Sequence, residues 1–269
     1  MKIGIIGGGA WGSALAQVAS AESNETLIWA MEKEVVQAIN ERHENPAFLS
    51  GVKLNGSIRA TGELAEVGDC DAFLIVTPAQ HMRAVLERAP VAGKPLILCA
   101  KGIEERSGRL LHQVAMEACP GAPIAVLSGP TFAHEVAKGL PTAVTLAAQD
   151  FGLAEQLRDR IARPTFRIYI SDDVAGAEIG GAVKNVLAIA CGVVEGRGLG
   201  QNARAALIAR GFAELRRFGM AFGAKPETLS GLSGLGDLFL TCSSASSRNY
   251  SLGVGIGEGR AAAELLSNR

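Results

Sequence analysis

Lys2-Ile3-Gly4-Ile5-Ile6-Gly7-Gly8-Gly9-Ala10-Trp11-Gly12 is the stretch that decides how the first half of the chain folds. Lys2–Ile6 is a short apolar run that reads as a buried strand, and the residues from Gly7 to Gly12 fit G-x-G-x-x-G directly behind it. Glycines at Gly7, Gly9 and Gly12 permit a tight turn and let the backbone N–H groups around Ala10 and Trp11 approach a ligand closely. A helix opening at this point sets its positive N-terminus against the same ligand, which suits a pyrophosphate. A merely tight strand-to-helix turn is the structural alternative. The order strand, turn, helix, next strand favours dinucleotide binding instead.

Downstream of the turn, short apolar runs alternate with amphipathic ones. Candidate strands are Lys2–Ile6, Thr26–Trp29, Ala72–Val76, Leu96–Cys99, Ile124–Leu127 and Thr142–Leu146, and the pattern changes after Phe166–Ile170. Helical patterns fall at Trp11–Ala21, Lys33–Glu41, Gln80–Ala89, Gly108–Ala118 and Phe132–Lys138. This alternation predicts an α/β, Rossmann-type domain with a mostly parallel sheet over residues 1–170. From Asp172 onward only helices and Gly-rich turns are legible, and Ser171-Asp172-Asp173 offers N-cap chemistry to a long apolar helix. Residues 171–269 are therefore expected to form an all-α second domain.

The 269 residues carry a formal net charge of -1 and are 48% hydrophobic. With no dense basic run, nucleic acid and anionic membrane surfaces are not expected partners, and an anionic ligand must be met by a few placed cations. The five cysteines stand singly without a CxxC pair, so buried thiols in a reducing compartment are expected, and no metal site. Met1 to Gly7 is too short and Gly-rich for a signal peptide. The apolar stretch Val174 to Val194 is interrupted by Glu178 and Lys184, which argues for a core helix over a membrane span. A cytoplasmic protein without membrane insertion is the expectation.

Glu32, shortly after the second strand, is placed to accept hydrogen bonds from a ribose and to repel a 2′-phosphate, which favours NAD. Lys33 beside it leaves NADP open. Glu32 as a simple helix-start carboxylate is the bland alternative. In a parallel sheet ligands sit beyond the carboxyl ends of the strands, here Val76-Thr77-Pro78, Ala100-Lys101-Gly102 and Leu127-Ser128-Gly129-Pro130-Thr131. Lys101 is a candidate partner for a substrate phosphate or carboxylate, or else a solvated loop lysine.

In the second half, Gly180-Gly181-Ala182-Val183-Lys184-Asn185-Val186-Leu187-Ala188-Ile189-Ala190 places one lysine in an apolar helix. Desolvation favours the neutral amine and brings it towards proton exchange near neutral pH. The alternative is a lysine snorkelling outward or paired with Glu178. Gly180-Gly181 permits close approach of a cofactor or of another backbone. Asp237, at the end of Gly231-Leu232-Ser233-Gly234-Leu235-Gly236, is placed to hold the ammonium or a substrate hydroxyl, or simply to cap a helix. Ser247-Arg248-Asn249 combines a hydroxyl, a guanidinium and an amide at a helix start, which suits an anion; a serine-rich surface loop is the alternative.

These motifs together resemble the bacterial NAD(P)-dependent glycerol-3-phosphate dehydrogenases. The likeness runs through His43-Glu44-Asn45, Lys101-Gly102, Ser128-Gly129-Pro130-Thr131-Phe132-Ala133, Gly180 to Asn185, Asn202-Ala203-Arg204-Ala205-Ala206-Leu207, Gly234 to Asp237 and Ser247-Arg248-Asn249. The resemblance implies reversible hydride transfer between sn-glycerol 3-phosphate and dihydroxyacetone phosphate, feeding phospholipid synthesis. By that likeness Lys184 exchanges the C2 hydroxyl proton, with Lys101 and Asp237 catalytic beside it. Lys101, Gly129, Thr131, Lys184, Asp237, Ser247, Arg248 and Asn249 contact the small phosphorylated substrate. Gly7, Gly9, Ala10, Trp11, Gly12, Glu32, Lys101, Ala133 and Arg248 line the cofactor. Two features depart from the family. Met31 stands where many members carry a basic residue, and the helical domain is shortened relative to members that continue with further helices. A β-hydroxyacid or 6-phosphogluconate-type dehydrogenase, and an inactive dinucleotide-binding module, are the competing readings. A homodimer is left open.

Overall fold

The structure is a computed structural model that describes residues 1–20 and 24–267. It divides into two compact units, one comprising residues 1–127 and 131–174, the other residues 128–130 and 175–269. The sequence boundary near Ser171 thus lies a few residues before the change of unit at Val174, and the short segment Ser128–Pro130 belongs with the second unit.

Ten strands occur among the described residues of the first unit: β1 (Lys2–Ile6), β2 (Glu25–Trp29), β3 (Glu44–Asn45), β4 (Leu49–Lys53), β5 (Arg59–Thr61), β6 (Ala72–Ile75), β7 (Leu96–Leu98), β8 (Ile124–Ser128), β9 (Thr142–Ala148) and β10 (Phe166–Ser171). Eight of them form one sheet in the order β10-β9-β8-β7-β6-β1-β2-β5. β1 pairs in parallel with β2 on one side and with β6 on the other, so the strand order reverses at β1. A crevice beyond the carboxyl end of β1 is the ligand position that such a reversal creates. All four residues of β6 are buried, as expected of a strand covered on both faces. The covering helices are α1 (Ala10–Ala19), α2 (Lys33–Arg42), α3 (Met82–Leu86), α4 (Leu111–Ala118), α5 (Ala133–Ala137) and α6 (Phe151–Ile161). Ile3, Ile5, Leu74, Ile97, Ala125, Leu146 and Ile168 form a continuous core with Leu15 and Leu157 from the helices.

The six strands read from the sequence are present, and the run at which the pattern changes forms β10. β3, β4 and β5 were not legible because they are two to five residues long, and β4 contains a glycine at φ 74° that breaks apolar alternation. The first helix, read as Trp11–Ala21, runs Ala10–Ala19, and its expected last residue, Ala21, lies outside the described residues. The helix read over Gln80–Ala89 opens as a 3-10 turn, Ala79–His81, before α3.

The described residues of the second unit are helical: α7 (Val174–Gly196), α8 (Gly200–Ala221), α9 (Pro226–Ser230), α10 (Asp237–Cys242), α11 (Arg248–Gly257) and α12 (Ala262–Ser267), with a π-turn at Leu232–Gly236. α7 and α11 meet backbone to backbone. A Cβ built on Gly192 would lie 2.1 Å from the Tyr250 carbonyl oxygen, and one on Gly253 would lie 2.0 Å from that of Ile189. Gly196 and Gly257 repeat the contact one turn on. α7 is long and apolar enough to cross a membrane, yet half of its apolar window is buried inside the protein. All five cysteines are buried free thiols, and burial pushes Cys70, Cys99 and Cys119 up from the usual thiol value.

Candidate functional site

The turn after β1 separates its glycines by their surroundings. Gly7 has φ 125°, and side chains on Gly8 and Gly12 would collide with Ala30 Cβ at 2.4 Å and with the Gly7 carbonyl oxygen at 1.9 Å. Those positions are glycine because the fold has no room. Gly9 differs: a Cβ there meets nothing within 4 Å. Gly9 is the N-cap of α1 and supplies no side-chain cap, so the first N–H groups of α1 rely on partners outside the helix. Thr77 Oγ1, just past β6, is buried and makes no hydrogen bond, and Thr77 N lies 3.1 Å from the position of a Gly7 Cβ. An open glycine face, an uncapped helix start and an orphaned hydroxyl at one strand end fit a diphosphate-bearing dinucleotide. Ala10, Trp11 and Ala133 are half-buried and pack on the first unit's core, with α1 against α5.

Glu32 is the N-cap of α2 by position, but its exposed carboxylate accepts no capping hydrogen bond. Met31 is 76% exposed beside it. Glu32 thus stands at the start of α2, where a carboxylate suits the helix dipole whether or not it also meets a ribose.

Lys101 is half-buried three residues beyond the end of β7. Its loop is tied down by residues that sequence reasoning passed over. Gln80 Nε2 donates to the Ile103 carbonyl at 2.9 Å, and Gln80 Oε1 accepts from Glu105 N at 2.9 Å. Arg83 makes a two-pronged bond to Glu104 at 2.8 and 2.9 Å and reaches Glu117 at 2.8 Å. Arg83, with Ser107, holds the Glu104 carboxyl down at about 2. Thr131 is half-buried ahead of α5, which spans five residues rather than the seven expected.

In the second unit, Lys184 lies one helical turn after Gly180, on the same face of α7. A Cβ on Gly180 would sit 2.1 Å from the Ser233 carbonyl oxygen, so this glycine admits another backbone, the π-turn at Leu232–Gly236. That turn delivers Asp237 as the first residue of α10. Lys184 Nζ donates to Asp237 Oδ1 at 2.6 Å and to Thr241 Oγ1 at 2.9 Å. Thr241 gives its own proton to the Asp237 carbonyl at 2.7 Å, which turns its lone pairs towards the amine. Lys184 is 7% exposed and Asp237 0%. The expected alternative of a lysine snorkelling to the surface gives way to a buried pair with Asp237. Burial favours the neutral amine while the carboxylate favours ammonium, so the two influences oppose each other. Asn185, next to Lys184, is half-buried. Thr241 was missed, although it follows Asp237 by four positions and so shares its helix face.

Ser247 is buried, and its Oγ caps α11 by accepting from Tyr250 N at 3.2 Å. Arg248, exposed, and Asn249, half-buried, occupy the first turn of that helix. Arg204 of α8 donates to Tyr250 OH at 3.0 Å, which explains one motif of the sequence as a brace within the bundle. Gly129 has φ 156° in the segment assigned to this unit. No group of three or more metal-ligating side chains occurs among the described residues.

The family model described as NAD-dependent glycerol-3-phosphate dehydrogenase N-terminus matches residues 2–154, and the corresponding C-terminus model matches residues 173–269. A glycerol-3-phosphate dehydrogenase [NAD(P)+] from Erythrobacter litoralis is 61% identical over 268 residues, covering 100% of this chain and 81% of the relative. The protein of the same name from Caulobacter vibrioides is 56% identical, covering 100% of this chain and 82% of its own. The crystal structure of glycerol-3-phosphate dehydrogenase from Coxiella burnetii superposes with a TM-score of 0.95 at 39% identity, over 99% of this chain and 83% of that one.

Proposed function

Because the chain belongs to the NAD-dependent glycerol-3-phosphate dehydrogenase family, we propose that it catalyses reversible hydride transfer between sn-glycerol 3-phosphate and dihydroxyacetone phosphate, using NAD(H) or NADP(H). The observation that carries the chemistry is the buried Lys184–Asp237–Thr241 cluster.

In the oxidising direction Lys184 takes the proton of the C2 hydroxyl, and the resulting ammonium is held by Asp237 and Thr241. In reduction the same ammonium returns the proton to the carbonyl oxygen. A nicotinamide held there would supply the chemistry of hydride uptake or delivery at C2. Gly7, Gly9, Ala10, Trp11 and Gly12 hold the diphosphate, with Ala133, Lys101 and Arg248 lining the cofactor and Glu32 on the ribose, which favours NAD. Arg248, with Ser247 and Asn249, clamps the substrate phosphate, since a guanidinium fork matches phosphate oxygens. Lys101, Gly129 and Thr131 complete the substrate contacts. The Arg83–Glu104 and Gln80 bonds fix the loop that carries Lys101.

We further propose that the enzyme works in the cytoplasm, supplies glycerol 3-phosphate for phospholipid synthesis, and keeps α7 as a core helix outside the membrane. Neither nucleic acid nor metal has a role in this scheme.

The test is oxidation of NADH and of NADPH with dihydroxyacetone phosphate, set beside β-keto acids. Turnover with dihydroxyacetone phosphate is expected, faster with NADH. Reaction with the keto acids alone would overturn the substrate assignment, and dinucleotide binding without any turnover would leave only a binding module.

A further inference from the structure

We infer that Asn45 is a positioning residue for the dinucleotide: it clamps the Gly8 carbonyl inward and thereby aims the Gly9 N–H at the diphosphate. The inference rests on the dinucleotide role proposed above and assigns a function to a residue outside that scheme.

Asn45 is 0% exposed, an unusual place for a primary amide unless every polar atom is matched. It is matched. Nδ2 donates to the Gly8 carbonyl at 2.8 Å and to Ser13 Oγ at 2.8 Å, and Oδ1 accepts from Phe48 N at 3.3 Å. The orientation of the amide is forced, because the Gly8 carbonyl can only accept and the Phe48 N–H can only donate.

The chain takes a strained route to bring this side chain there. α2 ends at His43 in the left-handed region, φ 53° and ψ 50°, the one non-glycine residue with positive φ among those described. The His43 carbonyl is then held by Leu54 N at 2.8 Å. This sharp exit from α2 leads straight into β3, whose second residue is Asn45, packed beneath the turn between β1 and α1.

The consequence follows from peptide geometry. In a planar trans peptide the C=O of one residue and the N–H of the next point in opposite directions. No cis peptide occurs among the described residues. With the Gly8 oxygen drawn towards buried Asn45, the Gly9 N–H faces away from it, on a residue whose Cβ position is open for 4 Å. Both residues are glycine, so no side chain of their own restrains this peptide plane. A fixed plane lowers the ordering cost on binding, and the bond to the carbonyl also strengthens the N–H as a donor.

The experiment uses the full chain and its Asn45→Ala and Asn45→Asp variants, with ADP-ribose and NADH as probes. Calorimetric Kd for ADP-ribose and KM for NADH are expected to rise about tenfold or more, with kcat at saturating NADH within about threefold. Ser13→Ala keeps the bond to Gly8 and is expected to weaken ADP-ribose by less than about threefold. A lower Tm with ADP-ribose affinity near that of wild type makes Asn45 structural only and overturns the inference. So does a Ser13→Ala loss equal to that of Asn45→Ala. If the Asn45 variants do not fold, the wild-type chain decides: its Gly9 amide resonance is expected to move downfield on titration with ADP-ribose, and an unmoved resonance overturns the clamp. Wild-type protein that binds neither probe removes the dinucleotide role itself, a distinct failure that takes the inference with it.

Discussion

Lys184 Nζ and Asp237 Oδ1 lie 2.6 Å apart, with side chains 9% and 0% exposed. Fifty-three residues separate them in sequence, and two short devices close the gap. Gly180, one helical turn before Lys184, admits the π-turn against α7, and the turn leads directly into Asp237. Sequence set the lysine in an apolar helix, and packing supplied it with a counter-charge.

A buried charge that loses its partner is costly, by about 3–5 kcal/mol, whereas replacing both charges with apolar groups is often neutral. Asp237→Leu should therefore destabilise strongly in urea unfolding, and Lys184→Met/Asp237→Leu should recover most of that loss while staying inactive. A double variant no more stable than the single one would refute the pairing energetics.

Glu104 titrates at about 2 in the folded protein instead of near 4.5 because Arg83 and Ser107 hold its charged form. A depressed carboxyl contributes stability that is whole above its unfolded value and fades as pH falls through the folded one. The urea midpoint of the wild type should fall between pH 4.5 and 2 more steeply than that of Glu104→Gln. Parallel curves would mean that the Arg83–Glu104 bridge adds nothing.

Gly253→Ala introduces a Cβ 2.0 Å from the Ile189 carbonyl oxygen, a contact with rigid backbone. It should cost about 1–3 kcal/mol or more, by forcing α11 away from α7. Since α11 carries Arg248 and Asn249, KM for the phosphorylated substrate should rise with it. Unchanged stability would show that the two helices part freely.

Arg248→Ala removes the guanidinium fork while leaving the Ser247 cap in place. KM for dihydroxyacetone phosphate should rise about tenfold or more, with kcat little changed. An unaltered KM would remove Arg248 from the phosphate clamp.

The parallel sheet, the glycine turn between β1 and α1 and the lone buried lysine were legible because each rests on local pattern: apolar runs, glycine spacing, a charge in an apolar helix. The missed strands β3 to β5 are short and polar, and the hydrophobic period has nothing to register in them. Asn45 was visible only as part of a family motif, since no periodicity says that an amide three residues past a helix will hold a carbonyl 37 positions earlier. Thr241 could have been found from its spacing to Asp237. The Gln80 and Arg83 ties to the Lys101 loop depend on which strand ends neighbour each other, and that order emerges only with the sheet.

The central claim is that the Lys184 amine exchanges the substrate proton. Lys184→Gln keeps a donor in reach of Asp237 but cannot shuttle a proton, so kcat for reduction of dihydroxyacetone phosphate at saturating NADH measures the claim directly. The expected result is a fall of at least ~100-fold with Kd for NADH within about threefold of wild type. A folded variant that keeps most of its kcat would contradict it.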